Sequence, residues 1–468
     1  MKFYSLTEAQ NAIWFAHELC ADKSLYNIGE YVEIFGLLDT EKFCASALRT
    51  QNSFDIFRLN FALEKGVPQQ FFADPRPEIQ CHDFSAQPNA ESQAKSWMRQ
   101  DMGRPVQLIG DEPLFAMALL RVDDDRFFFY HRYHHIICDG ASLALIFSDM
   151  NARYQSVAQD NMSRSWRDVI EDNNEYVSSS RYLIDRNYWL EKLHDAPPAK
   201  SLSGEISAFA NSPKPIRITQ SISRSDIAGL KALATACRAS LAQTFTALCA
   251  IYFHSLTSES DVVLGLASSG RWRKNTRATP GMMANVLPLR LHAEPQTTLE
   301  SFIGAVSRST REAARHMDYR GEQLHNDLRR GAGFNNPLHS CIVNVFSFEL
   351  SSKFAGLPTA FHNLSVGPVD DCHISFYEGQ SKTEAHIDVD GNPDLYDPAI
   401  LALHAQRIVR LISTVVCCHV TSPISDLPIV PQDERHRLVQ DWNRTARAYP
   451  RARGVHQLFA EQAPEART

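Results

Sequence analysis

A strand–turn–strand–helix pattern at residues 114–154 is the feature that most constrains how this chain can fold. Two apolar, aromatic-rich runs at 114–122 and 126–133 flank three consecutive aspartates. Such runs around a short polar turn predict a β-hairpin. After Gly140 the apolar residues follow helical spacing, at Leu143, Ile146, Phe147, Met150 and Tyr154. The pattern therefore predicts a hairpin that leads directly into an amphipathic helix.

The same mixture of helices and strands occurs on both sides of a proline-rich connector at residues 196–215. Before the connector, the patterns predict helices at 6–19, with Thr7 as the N-cap, and at 40–50, and a strand at 31–36. After it, they predict helices at 225–238, 240–256 and 397–418, and strands at 261–266, 286–291, 340–349 and 383–390. We therefore predict an α/β fold made of two sandwiches, at residues 1–195 and 216–431. Residues 432–468 are charged and contain several prolines, with a short helix near 455–460, and are interpreted as a tail or an inter-domain linker.

Composition argues against several classes of function. The formal net charge is −7 with both signs interspersed, so no basic stripe indicates nucleic-acid binding. The most apolar stretch, at 127–147, is too polar for a membrane-spanning helix, and the N-terminus lacks a secretory signal pattern. The ten cysteines are scattered without a C-x-x-C pair or zinc spacing, which favours free thiols in a reducing compartment. These features predict a cytoplasmic protein that binds no membrane and no metal.

Two adjacent histidines, His134 and His135, stand where the second predicted strand ends. Neighbouring side chains at a strand end point to opposite faces, so one imidazole packs inward and the other can project into a cleft. A projecting histidine can relay a proton near neutral pH. Asp139 is too close along the chain to be assumed a triad partner, and it can instead anchor the loop to a distant arginine. Gly140 leaves room for a close approach of backbone or substrate.

Other chemistries leave weaker signals. An isolated histidine pair is more often structural than catalytic, and a third metal ligand is not visible nearby. The chain has no G-x-S-x-G elbow, Walker loop or Rossmann glycine fingerprint, and Cys138 is interpreted as a small apolar filler. Histidine-assisted acyl transfer between two bound substrates remains the favoured interpretation.

Residues 134–140 match H-H-x-x-x-D-G, and the chain resembles the condensation domains of nonribosomal peptide synthetases, within the wider group of chloramphenicol-acetyltransferase-like acyltransferases. Further segments resemble condensation-domain motifs in family order, at residues 6–15, 57–61, 270–271, 281–290, 316–319 and 336–338. The likeness runs from residue 6 to 431, and residues 438–459 resemble the linker to an adenylation domain. The chain is most similar to the condensation domain that opens an enterobactin-type seryl module.

Three departures from the family pattern bear on the subtype. Ala12 stands where arginine is usual, Cys138 replaces the commoner serine or valine, and Arg320 with Gly321 replaces Pro-Phe. The likeness to the enterobactin-type module implies an aryl or other acyl donor. It also implies a role in secondary metabolite biosynthesis, of a siderophore or antibiotic.

The resemblance implies two acetyltransferase-like lobes in a V-shaped pseudo-dimer, with a tunnel between them. Amide bond formation then joins a donor acyl, aryl or peptidyl thioester to an acceptor aminoacyl thioester. No cofactor is expected to bind directly, because the substrates arrive on the 4'-phosphopantetheine arms of carrier proteins. The expected partners of this monomer are an upstream donor carrier on a separate chain, a downstream acceptor carrier and an adenylation domain C-terminal to residue 468.

The resemblance also assigns roles to residues. His135 matches the functional histidine, which orients the acceptor amine and receives or relays its proton, and His134 matches the structural one. Asp139 is expected to form a buried salt bridge with Arg271, next to Gly140. Weaker candidates for lining the substrate channel are Asn344, on a presumed strand across the cleft, and Ser142.

Three alternatives share the fold. A free-standing acyltransferase that uses coenzyme A or a soluble alcohol would share His135, but the segment after residue 431 argues against it. A non-catalytic recruitment domain would lose the motif, whereas His135, Asp139 and Gly140 are all present here. An epimerisation domain would follow a carrier domain instead of standing at a chain start.

Overall fold

A computed structural model describes residues 2–157, 165–204, 214–271, 276–332, 336–346, 353–379, 384–430, 432–448 and 454–462. It divides into two compact units, Met1–Leu427 and Pro428–Thr468. The second unit contains the helices α12 (Gln432–His436) and α13 (Val455–Gln462), with a π-helical turn at Arg437–Asp441. The short helix predicted near 455–460 is therefore present.

The first unit contains all the strands that the structure describes. Before residue 200 its helices are α1 (Glu8–Leu19), α2 (Thr40–Ser53), α3 (Ala90–Met102), α4 (Gly140–Tyr154), α5 (Trp166–Val177) and α6 (Ser180–Leu193). The strands of this part are β1 (Tyr4–Ser5), β2 (Asn27–Phe35), β3 (Leu59–Glu64), β4 (Val67–Phe72), β5 (Gln80–Asp83), β6 (Phe115–Asp123) and β7 (Arg126–His134).

After residue 200 the helices are α7 (Arg224–Ala236), α8 (Leu241–Thr257), α9 (Leu299–Arg315), α10 (Gly321–Ala332) and α11 (Pro398–Val415). The strands are β8 (Ile216–Ser221), β9 (Asp261–Ser268), β10 (Asn285–His292), β11 (Cys341–Phe346), β12 (Lys353–Phe354), β13 (Leu357–Ser365), β14 (Cys372–Tyr377) and β15 (His386–Gly391). Every helix and strand predicted from the sequence is found, with shifted ends. Residues 347–349 and 383 of the predicted strands lie outside the described residues, and strand β15 begins at His386.

Local chemistry explains the elements that position the site. The side chain of Thr7 accepts a hydrogen bond from the Gln10 amide, and the Gln10 side chain bonds back to the Thr7 amide, which completes a capping box at the start of α1. Strands β6 and β7 form the predicted antiparallel hairpin. The carboxylate of Asp139 accepts a hydrogen bond from the Ser142 amide and so caps α4. The loop between β7 and α4 is thus fixed at both ends.

Two six-stranded mixed sheets organise the first unit. The first sheet has the order β12-β13-β2-β7-β6-β5, and the second has the order β10-β9-β11-β14-β15-β8. Strand β11 runs parallel to both β9 and β14, at the centre of the second sheet. The strands β1, β4 and β3 form a small third sheet. The predicted α/β class with a sheet in each half of the chain is therefore confirmed.

The sheets do not divide cleanly at the predicted connector. Strand β13 follows the connector by more than a hundred residues, yet it pairs antiparallel with β2 in the first sheet, with Phe361 opposite Val32. The ring of Phe354, in β12, is fully buried among aromatic residues of the first half, Phe43, Phe147 and Tyr154. A segment of the second half thus satisfies the otherwise unpaired edge of β2, and the division into 1–195 and 216–431 stays a prediction. Residues 205–213 of the connector lie outside the described residues.

Among the described residues, no helix is both long enough and apolar enough to span a bilayer.

Candidate active site

His134 is the inward-facing member of the histidine pair. Its side chain has no solvent exposure, and its Nδ1 accepts a hydrogen bond from the Ile136 amide at 3.2 Å. The proton of this imidazole therefore resides on Nε2, which lies 3.1 Å from Nδ1 of the buried His17. Burial, with a smaller contribution from the charge of Arg132, holds the pKa of His134 well below its usual value. His134 is therefore a neutral, fully packed imidazole, and its structural role stays a prediction.

In His135 the two ring nitrogens have the opposite roles from those in His134. Its Nδ1 lies 2.9 Å from the Cys138 carbonyl oxygen, which can only accept, so Nδ1 carries the proton. Nε2 then holds a lone pair that can take a proton. The ring is half-buried, and burial lowers its pKa below the ordinary value, although the charge of Asp139 acts in the opposite direction. His135 is therefore a neutral base in a partly open position.

A glycine keeps one side of His135 open. Gly367 has a φ of +90°, and a Cβ at this position would lie 3.3 Å from Cδ2 of the His135 ring. A larger residue would be strained in that backbone conformation and would crowd the imidazole. No feature of the sequence separated Gly367 from the other glycines, because its importance comes from a contact between distant segments.

Asp139 and Arg271 form the predicted ion pair. Nη1 of Arg271 lies 2.8 Å from Oδ2 of Asp139, and both side chains are almost completely buried. Burial alone would raise the pKa of Asp139, but Arg271 and several hydrogen bonds together hold it below its usual value. The carboxylate is therefore ionised and serves as an anchor for the loop between β7 and α4.

Backbone amides complete this anchor, and sequence reasoning did not find them. Oδ2 of Asp139 also accepts hydrogen bonds from the amides of Met283 and Ala284, at 2.9 and 3.0 Å. Arg271 donates in turn to the carbonyl oxygens of Ser269, Thr279 and Gly281. We call the set Asp139, Ser142, Arg271 and the backbone of 279–284 the brace. It joins the histidine loop of the first half of the chain to a loop of the second half.

Ser142 belongs to the brace, which corrects its expected place in the substrate channel. Its side chain has no solvent exposure, and its hydroxyl lies 2.7 Å from Oδ1 of Asp139. The Ser142 hydroxyl oxygen also accepts hydrogen bonds from Nη2 of Arg271 and from the Gly281 amide, at 2.8 and 2.9 Å. A hydroxyl that is saturated in this way cannot contact a substrate. Its position in the first turn of α4, three residues after Asp139, explains the placement.

Gly281 shows how tightly the two halves of the chain meet at the brace. A Cβ there would stand 1.9 Å from the ring of Trp166, at the start of α5. The Trp166 indole is itself buried and donates a hydrogen bond to Gln70 at 3.0 Å. Only a glycine therefore allows the loop of the second half to pass this close.

One face of β11 leads from the histidine loop to a cavity of about 380 Å³. The ring of Phe346 lies 3.5 Å from the position that a Cβ of Gly140 would occupy. Side chains two apart in a strand share a face, so Ile342, Asn344 and Phe346 point the same way. Ile342 lines the cavity. The half-buried Asn344 stands between Ile342 and Phe346 on the same face of the strand, and its contact with substrate stays a prediction.

Arg320, one of the departures from the family pattern, is also in this region. It is nearly buried, it donates to the Ala284 carbonyl oxygen at 2.5 Å, and it pairs with Glu322 at 3.2 Å. Its charge acts on His135 in the direction that lowers the pKa of the imidazole, after the larger effect of burial. A residue that replaces a proline thus brings a fixed positive charge close to the site.

Nucleophilic and metal chemistry find little support in this geometry. The Cys138 thiol is fully buried, and burial raises its pKa well above the usual value, so it is not a thiolate. Within the described ranges no cluster of three histidine, cysteine or carboxylate side chains is arranged to hold a metal ion. The site therefore consists of a single basic imidazole on an anchored loop.

Comparison with known proteins assigns the chain to a family. Residues 1–439 match the family model of the condensation domain. The chain therefore belongs to the condensation-domain family. It has two mixed six-stranded sheets and a histidine loop held by a buried ion pair. Members of this family are acyltransferase-type enzymes that form amide bonds. The predicted family, fold class and enzyme class are confirmed.

The relatives are nonribosomal peptide synthetases. The chain is 34% identical over 467 residues to the dimodular nonribosomal peptide synthase of Bacillus subtilis (strain 168), covering 98% of this chain and 19% of that protein. It is 26% identical over 419 residues to enterobactin synthase component F of Escherichia coli O157:H7, covering 87% of this chain and 32% of that protein. The chain thus spans about a fifth to a third of these synthetases, and the expected similarity to an enterobactin-type module is present.

A solved structure gives the same assignment. The starter condensation domain of rhizomide synthetase RzmA, in complex with C8-CoA, superimposes with a TM-score of 0.83 at 31% identity. The match covers 91% of this chain and 97% of that domain. Similarity over nearly the full length of both chains shows that the two share the complete condensation-domain fold.

Proposed function

We propose that this chain transfers an acyl, aryl or peptidyl group from a donor thioester to the amine of an acceptor aminoacyl thioester. The amine nitrogen attacks the donor carbonyl carbon, and the amide C–N bond forms as the C–S bond breaks. The amine loses a proton, and the departing donor sulfur takes one up. Both thioesters are held on the 4'-phosphopantetheine arms of carrier proteins, one for the donor and one for the acceptor.

The observation that carries this proposal is the hydrogen bond between Nδ1 of His135 and the Cys138 carbonyl oxygen, at 2.9 Å. Since Nδ1 donates to the Cys138 carbonyl oxygen, Nε2 is available to accept the amine proton as the tetrahedral stage forms. The lowered pKa keeps this nitrogen unprotonated at neutral pH. Positioned acid–base help of this kind typically contributes about 10²–10⁴-fold to a rate. A thioester is already activated, so the positioning of the amine contributes as well.

The brace supports this role without touching the substrate. It fixes the backbone from Asp139 to Ser142, and the Cys138 carbonyl that orients His135 comes directly before that segment. Asp139 and Arg271 are therefore positioning residues in the proposal, and His134 packs the opposite side of the loop. Asn344 is proposed as a polar contact to one of the two substrates.

The relatives support carrier-bound substrates, since they are modular synthetases. A starter acyl or aryl group is the proposed donor, because a starter condensation domain is among the structural relatives. The same relative favours one alternative. It was solved with an acyl-coenzyme A, so this chain can also be considered as an acyltransferase that takes coenzyme A thioesters directly.

We further propose that the protein is a cytoplasmic monomer. The ten cysteines support a reducing compartment, because all of them are free thiols in the structure. The proposed lobe boundary stays at the connector, with β12 and β13 assigned to the first lobe instead of the second.

The first prediction tests the role of His135. The protein is mixed with an acceptor carrier loaded with an amino acid and a donor carrier loaded with acyl or aryl groups, and the condensed product is followed by intact mass. His135→Ala should lower the rate by about 10²-fold or more, because the proton acceptor is lost. The melting temperature should change little, since the imidazole is only half-buried.

Two outcomes would contradict the proposal. Wild-type turnover by His135→Ala would remove the catalytic assignment. Product formation from coenzyme A thioesters, but not from loaded carriers, would favour the alternative instead. The exposed His292 provides a matched control, because His292→Ala should leave the rate unchanged.

A further inference from the structure

The cavity of about 380 Å³ adjoins the histidine loop through two segments. Gly367 contacts the His135 ring, and three residues later Asp370 lines the cavity. On the other side, Ala284 donates its amide to Asp139 in the brace, and the next residues, Asn285 and Val286, line the cavity. The cavity is therefore lined by the continuations of two segments, one that lies beside the His135 ring and one that belongs to the brace.

Negative charge dominates the lining. Glu322, Asp370 and Asp371 line the cavity, and among the described residues no lysine or arginine lines it. Burial holds the pKa of His339 and His373 near 4, so these two lining imidazoles are neutral at physiological pH. Arg320, which directly precedes α10, is already paired with Glu322.

Asp370 differs from the other two carboxylates. Asp371 accepts hydrogen bonds from the hydroxyls of Tyr396 and Ser201, at 2.5 and 3.1 Å. Within the described part of the chain, no donor or cation contacts the Asp370 carboxylate. Burial raises the pKa of Asp370, although its surface stays open to the cavity. Asp370 is exposed at the cavity wall, so a cation that enters the cavity can pair with its carboxylate without displacing an existing partner.

The rest of the wall is apolar. Val286, Pro337, Leu338 and Ile342 line the cavity together with Ala199. Long basic side chains bury their methylene stems on apolar surface and keep the charged end near a polar partner. The combination of apolar walls with one unpaired carboxylate thus fits an alkyl chain that ends in an ammonium or guanidinium group.

We infer that this cavity binds the side chain of a basic amino acid carried by one of the two thioesters, with Asp370 as the partner of its cationic end. The inference rests on the proposed function and names the substrate class for it. The shared chemistry is an aliphatic chain with a terminal cation, and the acceptor or the donor can supply it. Asp370 is then the specificity-determining residue.

The test compares a cationic substrate with a neutral one of similar length. Acceptor carriers loaded with ornithine or with norvaline are condensed with one fixed acyl donor, and a second arm places the same pair on the donor carrier. Wild-type protein should favour ornithine in one arm by about tenfold or more in kcat/KM, since a charge-assisted contact is at stake. Asp370→Asn should remove most of that preference.

The matched control is Asp394→Asn, because Asp394 is an exposed aspartate that does not line the cavity. It should keep the preference for ornithine. The melting temperature of Asp370→Asn should change little, because the side chain is exposed. A folded Asp370→Asn protein that keeps the preference, or a wild-type protein without preference in either arm, would overturn the inference.

The test separates this inference from the proposed function. If norvaline is condensed in a His135-dependent reaction but ornithine is not preferred in either arm, only the cavity assignment fails. If neither amino acid is condensed from loaded carriers, the proposed function fails.

Discussion

Two adjacent histidines have different chemistry because their Nδ1 atoms meet different backbone groups. Nδ1 of His134 accepts from an amide, whereas Nδ1 of His135 donates to a carbonyl oxygen. The tautomer of each imidazole follows directly from that difference. A chain segment of a few residues thus places a buried neutral histidine beside one whose Nε2 is free to act as a base.

The pH dependence of condensation should report on His135. Burial lowers its pKa, so the neutral form persists below the ordinary value of 6.5. As pH falls through the lowered pKa, His135 becomes protonated and the rate should decline. We therefore expect a flat profile of kcat/KM between pH 7 and 8 and an acidic limb below pH 6.5. A limb centred above 6.5 would contradict this assignment.

The brace makes a prediction about stability. Asp139→Ala leaves Arg271 buried without its carboxylate, which should reduce the free energy of unfolding by about 3–5 kcal/mol. Chemical denaturation measures the loss. The double variant Asp139→Ala with Arg271→Met should lose less than the sum of the two single changes, because the orphaned charge is removed.

An exposed pair serves as the control for this prediction. Glu378 and Lys231 form an ion pair whose side chains are both about half exposed. Glu378→Ala should change the free energy of unfolding by only about 0–1 kcal/mol. Equal losses for Asp139→Ala and Glu378→Ala would show that the brace is not a buried structural pair.

The sequence was enough to predict the functional side chains of the site, but not the backbone groups that contact them. His135, Asp139 and Arg271 carry chemistry in their residue types, so a motif can identify them. The amides of Met283 and Ala284 and the open space at Gly367 depend on where distant backbone segments meet. Ser142 was misplaced because a serine near a motif suggests substrate, whereas the first turn of a helix turns it toward its own N-cap.

At the scale of elements, hydrophobic pattern found the helices and strands but not their sheet partners. The pattern of β11 or β13 reveals a strand and its buried face, and both are local properties. Which edge the strand joins depends on the free hydrogen-bonding groups of another segment. The membership of β12 and β13 in the first sheet could therefore not be read from their own residues.

A core substitution tests that membership. The fully buried ring of Phe354 lies 5.3 Å from Phe43, 5.6 Å from Phe147 and 5.0 Å from Tyr154, centroid to centroid. Phe354→Ala should reduce the free energy of unfolding by about 3–5 kcal/mol through the cavity that it leaves. Urea denaturation measures this loss. Phe15→Ala is the control, since Phe15 is 57% exposed and should lose far less. A loss as small as that of the control would place Phe354 outside the core.

At the scale of the whole molecule, the two halves are tied together by a sheet and by the brace. Strand β13 crosses from the second half to the first, while Asp139 and Ser142 of the first half bind Arg271 and Gly281 of the second. Gly281 also passes against Trp166. A disturbance of the loop in either half is therefore transmitted to the histidine of the site.

Buried histidines predict how the stability of the whole fold depends on acid. Burial lowers the pKa of His17, His339, His373 and His404 to about 4, against 6.5 in an unfolded chain. Between pH 4 and pH 6.5 these histidines bind more protons in the unfolded chain than in the folded chain. The free energy of unfolding should therefore fall as pH drops from 6.5 toward 4. Asp371, whose pKa is raised to about 6, acts in the opposite direction, as do Glu8 and Asp370, whose pKa values are also raised.

Melting temperatures measured across this pH range check the prediction. His404→Gln should make the decline shallower, because one buried imidazole no longer titrates. His292→Gln should leave the slope unchanged, since that side chain is 65% exposed. An increase in melting temperature between pH 6.5 and 4 would contradict the prediction.

The pairing of β13 with β2 has a consequence for how the protein is made. Synthesis runs from the N-terminus, so β2 emerges from the ribosome long before Ser365, the last residue of its partner strand. Throughout that interval the nascent first sheet exposes an unpaired strand edge, which can pair with other chains. Completion of the first sheet thus waits for most of the second half to be translated. A gene cut at the connector would yield a first lobe that lacks its outer strands.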